Sequence, residues 1–227
     1  MHIGLIGGIG PAATEFYYRG LFDRHAAAGT FLDLTIVHAD VREMGRNLAS
    51  GDARSQAAIF LRLVERLAAA GAEAAAITSM GGHFCVRELT LLSPLPVLNA
   101  IPRIDAAIRE RGIKTIGILG TRLVMETGLY GGITASRIVV PKGEALAEVH
   151  QNYVEMAAVG RVTEAQRRVF FTNGERLCRE QGADAVFLGG TDLCLAFAGQ
   201  DCGFPVLDST AIHVEAIYRE SVGKLSE

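Results

Sequence analysis

Short apolar runs alternate with amphipathic stretches along this chain, which is the pattern of parallel α/β units. The runs are three to six residues long and mostly apolar, as is typical of strands buried on both faces of a sheet. Helices are expected in the intervals between these strands. The predicted strands are Ile3–Ile6, Leu34–His38, Ala74–Thr78, Leu95–Leu98, Lys114–Leu119, Ile138–Pro141, Ala185–Leu188 and Pro205–Leu207.

One interval is polar and is predicted to be a loop. Ala39–Asp52 follows the second strand and carries Arg42 and Arg46. Loops at the carboxyl ends of parallel strands are where ligands bind in such folds, so we expect the two arginines either to contact a ligand or to be solvated. Helices are predicted from Ala12, over Arg54–Ala70, Ile101–Arg111 and Gly143–Gln181 with a break near Val159, around Met125 and Tyr130, and over Thr210–Lys224.

The second half of the sequence repeats the first at a distance of 109 to 113 residues. Gly71–Ala74 is echoed by Gly182–Ala185, and Ile3–Gly7 is echoed by Ile116–Gly120. Further matches occur in the same order, and the offset between matched segments changes by only a few residues along the chain. Chance does not explain this pattern. A repeat this long indicates two similar domains rather than a solenoid.

We therefore predict an α/β fold made of two similar αβα lobes. Each lobe is expected to hold a parallel four-stranded sheet, with a pseudo-two-fold between them and a ligand cleft at the carboxyl ends of the strands. The predicted lobes are residues 1–100 and 101–207, with the C-terminal helix 208–227 packing back on the first. In this arrangement Ser79 of one lobe would face Gly190 of the other.

Composition narrows the class of protein. The 227 residues are 49% hydrophobic and 21% charged with a net charge of −3, so no basic surface indicates nucleic-acid binding. No apolar run is long enough for a membrane span, and the N-terminus lacks a signal peptide, so the expected location is the cytoplasm. None of Cys85, Cys178, Cys194 and Cys202 forms a C-x-x-C pair; we expect free thiols and no metal site.

The first strand runs into a glycine turn, Gly7-Gly8-Ile9-Gly10-Pro11, before the first helix. Free backbone N–H groups at such a helix start favour an anion. A dinucleotide fingerprint would need a third small residue, which Ala13 supplies. It would also need an acidic residue at the end of the second strand, and Asp33, Asp40 and Glu43 do not fall there. The spacing thus disfavours a dinucleotide.

This opening, continued through Thr14, resembles that of the aspartate/glutamate racemase family. Ile77–His83 falls where that family has its first cysteine motif, and Gly189–Leu193 falls where it has the second. Gly117–Tyr130 also resembles a family segment, so the likeness covers essentially the whole chain. It implies two α/β lobes without a cofactor, usually paired as a homodimer, in which two opposed cysteines remove and return the α-proton of an amino acid.

This sequence departs from the family pattern at the residues that carry the chemistry. On this register Ser79 replaces the first cysteine and Gly190 the second. Met80 and Gly81 replace the Asn-Thr pair that binds the α-carboxylate in the family. Ala158 stands where the family lysine binds a side-chain carboxylate. A serine hydroxyl is a much weaker base than a thiolate and needs an adjacent base.

Other side chains near the two motifs are candidates for the missing acid and base. They are Ser79 itself, Cys194 one helical turn beyond Gly190, Asp192, and His83, which titrates in a useful range. Each also has a structural alternative: a core thiol for Cys194, a helix N-cap for Asp192 and a capping role for His83. Residues expected to line the ligand site are Gly8, Arg42, Arg46, Met80, Gly81, Gly82, Thr121, Gly190 and Thr191.

Three functions follow as hypotheses. The first is a racemase-like isomerase that takes the α-proton of a small carboxylate or amino acid without pyridoxal phosphate or metal. The second is a lyase or decarboxylase that forms an enolate on the same scaffold, as in the arylmalonate decarboxylases, which resemble this family and keep one cysteine. The third is a non-catalytic protein that binds a small carboxylate.

Overall fold

The computed structural model describes residues 1–223 and divides the chain into two compact units. The first unit comprises Met1–Ala100 and the chain from His213 onward, and the second comprises Ile101–Ile212. The chain passes from one unit to the other within helices α5 (Ala100–Glu110) and α10 (Ser209–Ser221). Lys224, the predicted end of the last helix, lies outside the described residues.

The first unit is built on a parallel sheet with the strand order β2-β1-β3. Alternate residues of β1 and β3 point to opposite faces, so Ile6 and Ile77 pack in one apolar cluster with α3, while Leu5 and Ala76 pack in the other with α1 and α10. The sheet therefore has helices on both faces. Its elements are β1 (Ile3–Gly7), α1 (Pro11–Ala28), β2 (Leu34–His38), α2 (Val41–Ser50), α3 (Ala53–Ala69), β3 (Ala74–Ile77) and α4 (Val86–Leu92).

The second unit repeats this plan with the parallel order β5-β4-β6-β7. Its two long helices are separated by Gly160 in the left-handed conformation, and the second begins with a capping box formed by Thr163 and Gln166. The predicted break near Val159 is thus confirmed. The elements are β4 (Thr115–Leu119), α6 (Arg122–Thr127), β5 (Arg137–Val139), α7 (Glu144–Val159), α8 (Glu164–Gln181), β6 (Ala185–Leu188), α9 (Cys194–Phe197) and β7 (Val206–Asp208).

The sequence repeat corresponds to a structural repeat. Ile3 pairs with Ala74 between β1 and β3, and Ile116 pairs with Ala185 between β4 and β6. Helix packing repeats as well. A Cβ on Gly4 would lie 2.8 Å from Leu67 of α3. In the second unit, a Cβ on Gly117 would lie 3.1 Å from Leu177 of α8. A glycine in the middle of each first strand lets the helix approach closely.

Two sequence predictions are corrected by the structure. The predicted fourth strand of the first sheet, Leu95–Leu98, contributes only a parallel bridge between Val97 and Ala75. The predicted loop Ala39–Asp52 is mostly helix α2. Its apolar residues are sparse, but Met44 reaches the core. Asp40 caps the helix by accepting the Arg42 N–H, and Gly51 ends it in the left-handed conformation.

Candidate active site

The turn after β3 buries a hydroxyl among backbone groups. Ser79 is 3% exposed, and its Oγ accepts a hydrogen bond from the Gly82 N–H at 3.3 Å. Met80, Gly81 and Gly82 are buried beside it, and a 3-10 turn over Gly81–Cys85 carries the chain into α4. The partner of Ser79 Oγ is therefore a donor. Among residues 1–223, no basic side chain is hydrogen-bonded to this hydroxyl.

His83 lies in the same turn but both of its ring nitrogens are bound to backbone. Nδ1 is 2.7 Å from the Ser79 carbonyl oxygen, which can only accept, so Nδ1 carries the proton. Nε2 is then the acceptor for the Ala100 N–H at 3.3 Å. Burial lowers the pKa of His83 to about 4. The geometry gives His83 a structural role as a neutral ring, not the acid–base role that the sequence allowed.

A second buried histidine, His213, packs edge-on against His83 with the ring centroids 5.5 Å apart. Its Nε2 donates to the Leu98 carbonyl, so its Nδ1 accepts from the Tyr17 hydroxyl, each at 2.8 Å. Burial and the neighbouring His83 lower the pKa of His213 to about 3. The first turn thus rests on two neutral histidines. His213 and Tyr17 are 196 residues apart, so no local sequence pattern indicates this support.

The glycine turn after β1 is held by one threonine. Thr14 Oγ1 accepts the Gly8 N–H at 3.0 Å, donates towards the Gly10 carbonyl, and lies 3.3 Å from Thr78 Oγ1. Gly8 has a φ of +83°, and a Cβ there would lie 2.4 Å from the His38 ring. Only glycine fits this backbone beside that ring. The Gly8 N–H is therefore used inside the protein.

The turn after β6 contains different polar groups from the turn after β3. Gly190 lies in extended backbone, but a Cβ placed on it would lie 2.2 Å from Tyr153 Cε2 and 2.7 Å from the Tyr153 hydroxyl oxygen. The phenol of Tyr153, from α7, thus fills the space that a side chain at position 190 would take. Its hydroxyl donates to Asp192 Oδ2 at 3.3 Å, and both residues are buried.

Burial and neighbouring charges determine the protonation state of this phenol. Burial, assisted by the negative charge of Asp192 and by Cys194, raises the pKa of Tyr153 well above its ordinary value. The Tyr153 hydroxyl therefore stays protonated and donates to the carboxylate. Sequence reasoning did not select Tyr153, because it lies 39 residues before its partner on another element and no motif marks it.

Two buried hydroxyls have no hydrogen-bond partner in the described part of the chain, namely Thr191 Oγ1, adjacent in sequence to Asp192, and Ser209 Oγ. The backbone around Thr191 is fixed, since its carbonyl accepts from Thr210 Oγ1 at 3.2 Å. Burial raises the pKa of the nearby Asp208 carboxyl. An unsatisfied buried hydroxyl costs free energy, so Thr191 has unused capacity to bind a polar group.

Neither buried cysteine near the two turns is prepared as a base. Cys194 begins α9 and is 2% exposed, and burial together with Asp192 and Asp208 raises its thiol pKa far above the ordinary range. Burial and Glu88 raise the pKa of Cys85 to about 12. A thiol acts as a base only as its thiolate, so the geometry does not support the rescue by Cys194.

The remaining predicted site residues lie at strand ends or on α2. Thr121 follows β4 and caps α6 by accepting the Val124 N–H at 3.4 Å. Arg42 and Arg46 lie on the exposed face of α2. The Arg42 guanidinium binds Asp40 and lowers the pKa of that carboxyl to about 2. The structure thus shows both arginines solvated.

Across residues 1–223, no three His, Cys, Asp or Glu side chains are grouped so that they could hold a metal ion. No helix in this range combines the length and apolar composition that crossing a bilayer requires.

The whole chain has counterparts among known structures. A candidate Asp/Glu racemase from Yersinia pestis shares 28% identity over 98% of this chain and all of its own, with a TM-score of 0.82. An aspartate racemase homologue from Pyrococcus horikoshii OT3 shares 25% identity over 97% of this chain and 99% of its own, with a TM-score of 0.77. A Picrophilus torridus aspartate racemase, at 18% identity, covers 98% of this chain and 95% of its own with a TM-score of 0.74, which shows the common fold alone.

These likenesses agree with the sequence match. Residues 6–217 match the Asp/Glu/hydantoin racemase family, a range that runs from the end of β1 into α10 and includes both turns. The chain belongs to the Asp/Glu/hydantoin racemase family.

Proposed function

We propose that this protein is a racemase-like isomerase that removes and returns the α-proton of a small carboxylate or amino acid. The observation that carries the proposal is the repeated strand–turn–3-10 arrangement after β3 and β6, which buries Ser79 in one unit and Thr191 and Asp192 in the other. Buried hydroxyl and amide donors stabilise an enolate oxygen more strongly than water does. The likeness to the aspartate racemase homologue from Pyrococcus horikoshii OT3 agrees with this class of substrate.

The proposal excludes pyridoxal phosphate as the electron sink. That cofactor needs a lysine for its Schiff base. The lysines in the described range, Lys114 and Lys142, are exposed and lie in neither turn. The carbanion would then be stabilised by the turn groups alone. We also propose a cytoplasmic homodimer, for which the exposed apolar side chains of Tyr18, Phe22 and Ile36 offer a contact surface.

The two turns differ in their polar groups, and this difference favours a second candidate function. It is enolate chemistry with an acid–base group on one side of the substrate alone, such as a decarboxylation. The hydroxyl of Ser79 meets a backbone donor, whereas Tyr153 meets a carboxylate. A turn without a base serves as a binding site more readily than as a proton acceptor.

The test is proton exchange in D₂O, followed by NMR and chiral chromatography over a panel of amino acids and small mono- and dicarboxylates. A racemase-like isomerase loses the α-proton signal while the opposite enantiomer accumulates. Exchange without inversion establishes one-sided chemistry instead. Calorimetric binding without exchange on any compound contradicts both and leaves a binding protein.

The variant Ser79→Ala separates catalysis from binding at the first turn. An isomerase should lose about 10²-fold or more in exchange rate, as for other acid–base or electrostatic groups. A binding protein would show only a change in affinity. Ser50→Ala is a matched control, since Ser50 is exposed on α2 and its hydroxyl binds only helix carbonyls.

A further inference from the structure

The side-chain space of Gly190 is occupied by a titratable group from another element. Tyr153 Cε2, Cζ and Oη lie 2.2, 2.4 and 2.7 Å from the position of a Cβ at residue 190. Position 190 is where the family resemblance places the second cysteine. The phenol ring and its hydroxyl therefore occupy the space into which a side chain at this turn would extend.

We propose that Tyr153 and Asp192 act together as the acid–base group of the turn after β6, with Tyr153 as the catalytic residue that contacts the α-carbon and Asp192 as its positioning residue and proton store. This inference rests on the proposed function and names the residues that carry out half of it.

The proton balance of the pair matches that of a single thiol. In the base form the phenol is protonated and Asp192 carries one negative charge. When the substrate Cα–H bond breaks, its proton moves to Tyr153 Oη while the phenolic proton moves to Asp192 Oδ2, and the electron pair stays on the substrate as an enolate. The return step reverses both transfers. The pair thus alternates between charges of −1 and 0, as a thiolate and a thiol do.

The surroundings of the pair fit this role. The phenol and the carboxylate are both buried, so the charge that moves is screened little by water. Their 3.3 Å separation is longer than the 2.5–2.7 Å usual for a hydroxyl–carboxylate bond, and such contacts tighten when a substrate binds. Thr191 Oγ1, which has no partner among the described residues, is adjacent in sequence and available to bind a carboxylate oxygen.

The structural alternative is that Tyr153 merely fills the gap beside a glycine. Tyr153→Phe distinguishes the two, because phenylalanine keeps the ring and removes only the hydroxyl. The control is Tyr218→Phe, which removes the hydroxyl of a partly buried tyrosine of α10 whose ring packs edge-on against His25. Its ring, like that of Tyr153, is kept by the substitution. Only Tyr153→Phe should lose exchange.

The experiment measures α-proton exchange in D₂O from each enantiomer of the best substrate in the panel. We expect Tyr153→Phe and Asp192→Asn to slow exchange about 10²- to 10⁴-fold for the enantiomer whose α-proton faces this turn, and to slow interconversion in both directions. Tyr218→Phe should stay within about threefold of the wild type. A loss confined to one face of the substrate is a readout that a purely structural effect would not produce.

A variant that replaces the phenol with a thiol provides a second measurement. The double variant Gly190→Cys/Tyr153→Ala places a thiol in the space that the phenol leaves. It should exchange faster than Tyr153→Ala alone, and iodoacetamide should abolish this gain. No gain over Tyr153→Ala would overturn the assignment of this position to the α-carbon.

The outcomes also separate this inference from the proposed function. Wild-type exchange that survives unchanged in Tyr153→Phe overturns the role of the pair and leaves the isomerase standing. Absence of exchange in the wild type on every compound overturns both together.

Discussion

The turns after β3 and β6 share a backbone plan but differ in their charge. The first holds a hydroxyl and a histidine whose ring nitrogens are both bound to backbone, with a second neutral histidine behind it. The second holds a phenol donating to a buried carboxylate. Duplication has thus kept the strand register and the helix contacts while the buried polar groups have diverged. Strand pairing specifies where a turn lies, and a few side chains from neighbouring helices decide what it can do.

The largest expected difference between the turns is their response to acid. His83 and His213 are buried and neutral, with folded pKa values of about 4 and about 3 against about 6.5 in the unfolded chain. Between pH 6.5 and 4 the unfolded state therefore binds protons that the folded state does not. The free energy of unfolding should fall by about 3 kcal/mol between pH 6.5 and 5. Urea unfolding at the two pH values measures this loss.

His213→Gln should roughly halve that acid sensitivity, since glutamine can still donate to the Leu98 carbonyl but does not titrate. In the second unit burial lowers the pKa of His150 and raises that of Asp208, so the two protonations change its stability in opposite directions. Hydrogen exchange should accordingly show β1 and β3 losing protection before β4 and β6. Equal loss in both sheets would contradict the assignment.

The next difference concerns the space beside each turn. An alanine at position 190 would place its Cβ against the Tyr153 ring, whereas at position 81 the nearest atoms are Ser79 Oγ at 3.4 Å and Met44 Cε at 3.7 Å. Gly190→Ala should therefore cost about 3 kcal/mol of stability by overpacking, and Gly81→Ala less than about 1 kcal/mol. Thermal unfolding of the two variants checks the order.

Removing the Tyr153 ring tests whether it causes the loss of stability in Gly190→Ala. In a Tyr153→Ala background the added methyl at position 190 should cost little. If Gly190→Ala were equally harmful there, the glycine would be required for a reason other than the phenol.

The sequence predicted the repeat and most of its elements because these depend on local patterns. Apolar runs of a few residues marked β1, β3, β4 and β6, and the repeated Gly-Ala-acidic-Ala phrase marked the equivalent strands. Helix α2 was not predicted because most of its side chains are polar and Met44 alone of them is buried. The capping residues Asp40 and Gly51 were the only local signals of a helix in this segment. The fourth strand of the first sheet was overestimated because Leu95–Leu98 is apolar but pairs only at Val97.

The positions of the two turns were predicted, but the side chains that surround them were not. Ser79, Gly190 and Asp192 follow the strands that the pattern identified. Tyr153 and His213 were not selected, because each reaches its turn from a helix distant in sequence and their partners are set by tertiary packing. The exposure of Arg42 and Arg46 likewise depends on which face of α2 packs inward. A sequence repeat identifies equivalent backbone segments, but it does not identify which side chain occupies the space beside a glycine.

The smallest expected difference lies in the first βα turn of each unit. Thr14 Oγ1 accepts the Gly8 N–H at 3.0 Å and also lies near the Gly10 carbonyl and Thr78 Oγ1. Within the described range, Thr121 Oγ1 accepts only the Val124 N–H, at 3.4 Å. Valine has the shape of threonine without the hydroxyl, so each Thr→Val change removes these bonds with little change in packing.

Thr14→Val should cost about 1.5 kcal/mol, because it leaves the Gly8 N–H without its partner at a turn that only glycine can form. Thr121→Val should cost about 0.5 kcal/mol, the lower end of the range for losing an N-cap, because the bond it removes is long. Urea unfolding at pH 7 resolves a difference of this size. The reverse order would mean that the β4 turn, and not the glycine turn after β1, depends more on a side chain for its backbone.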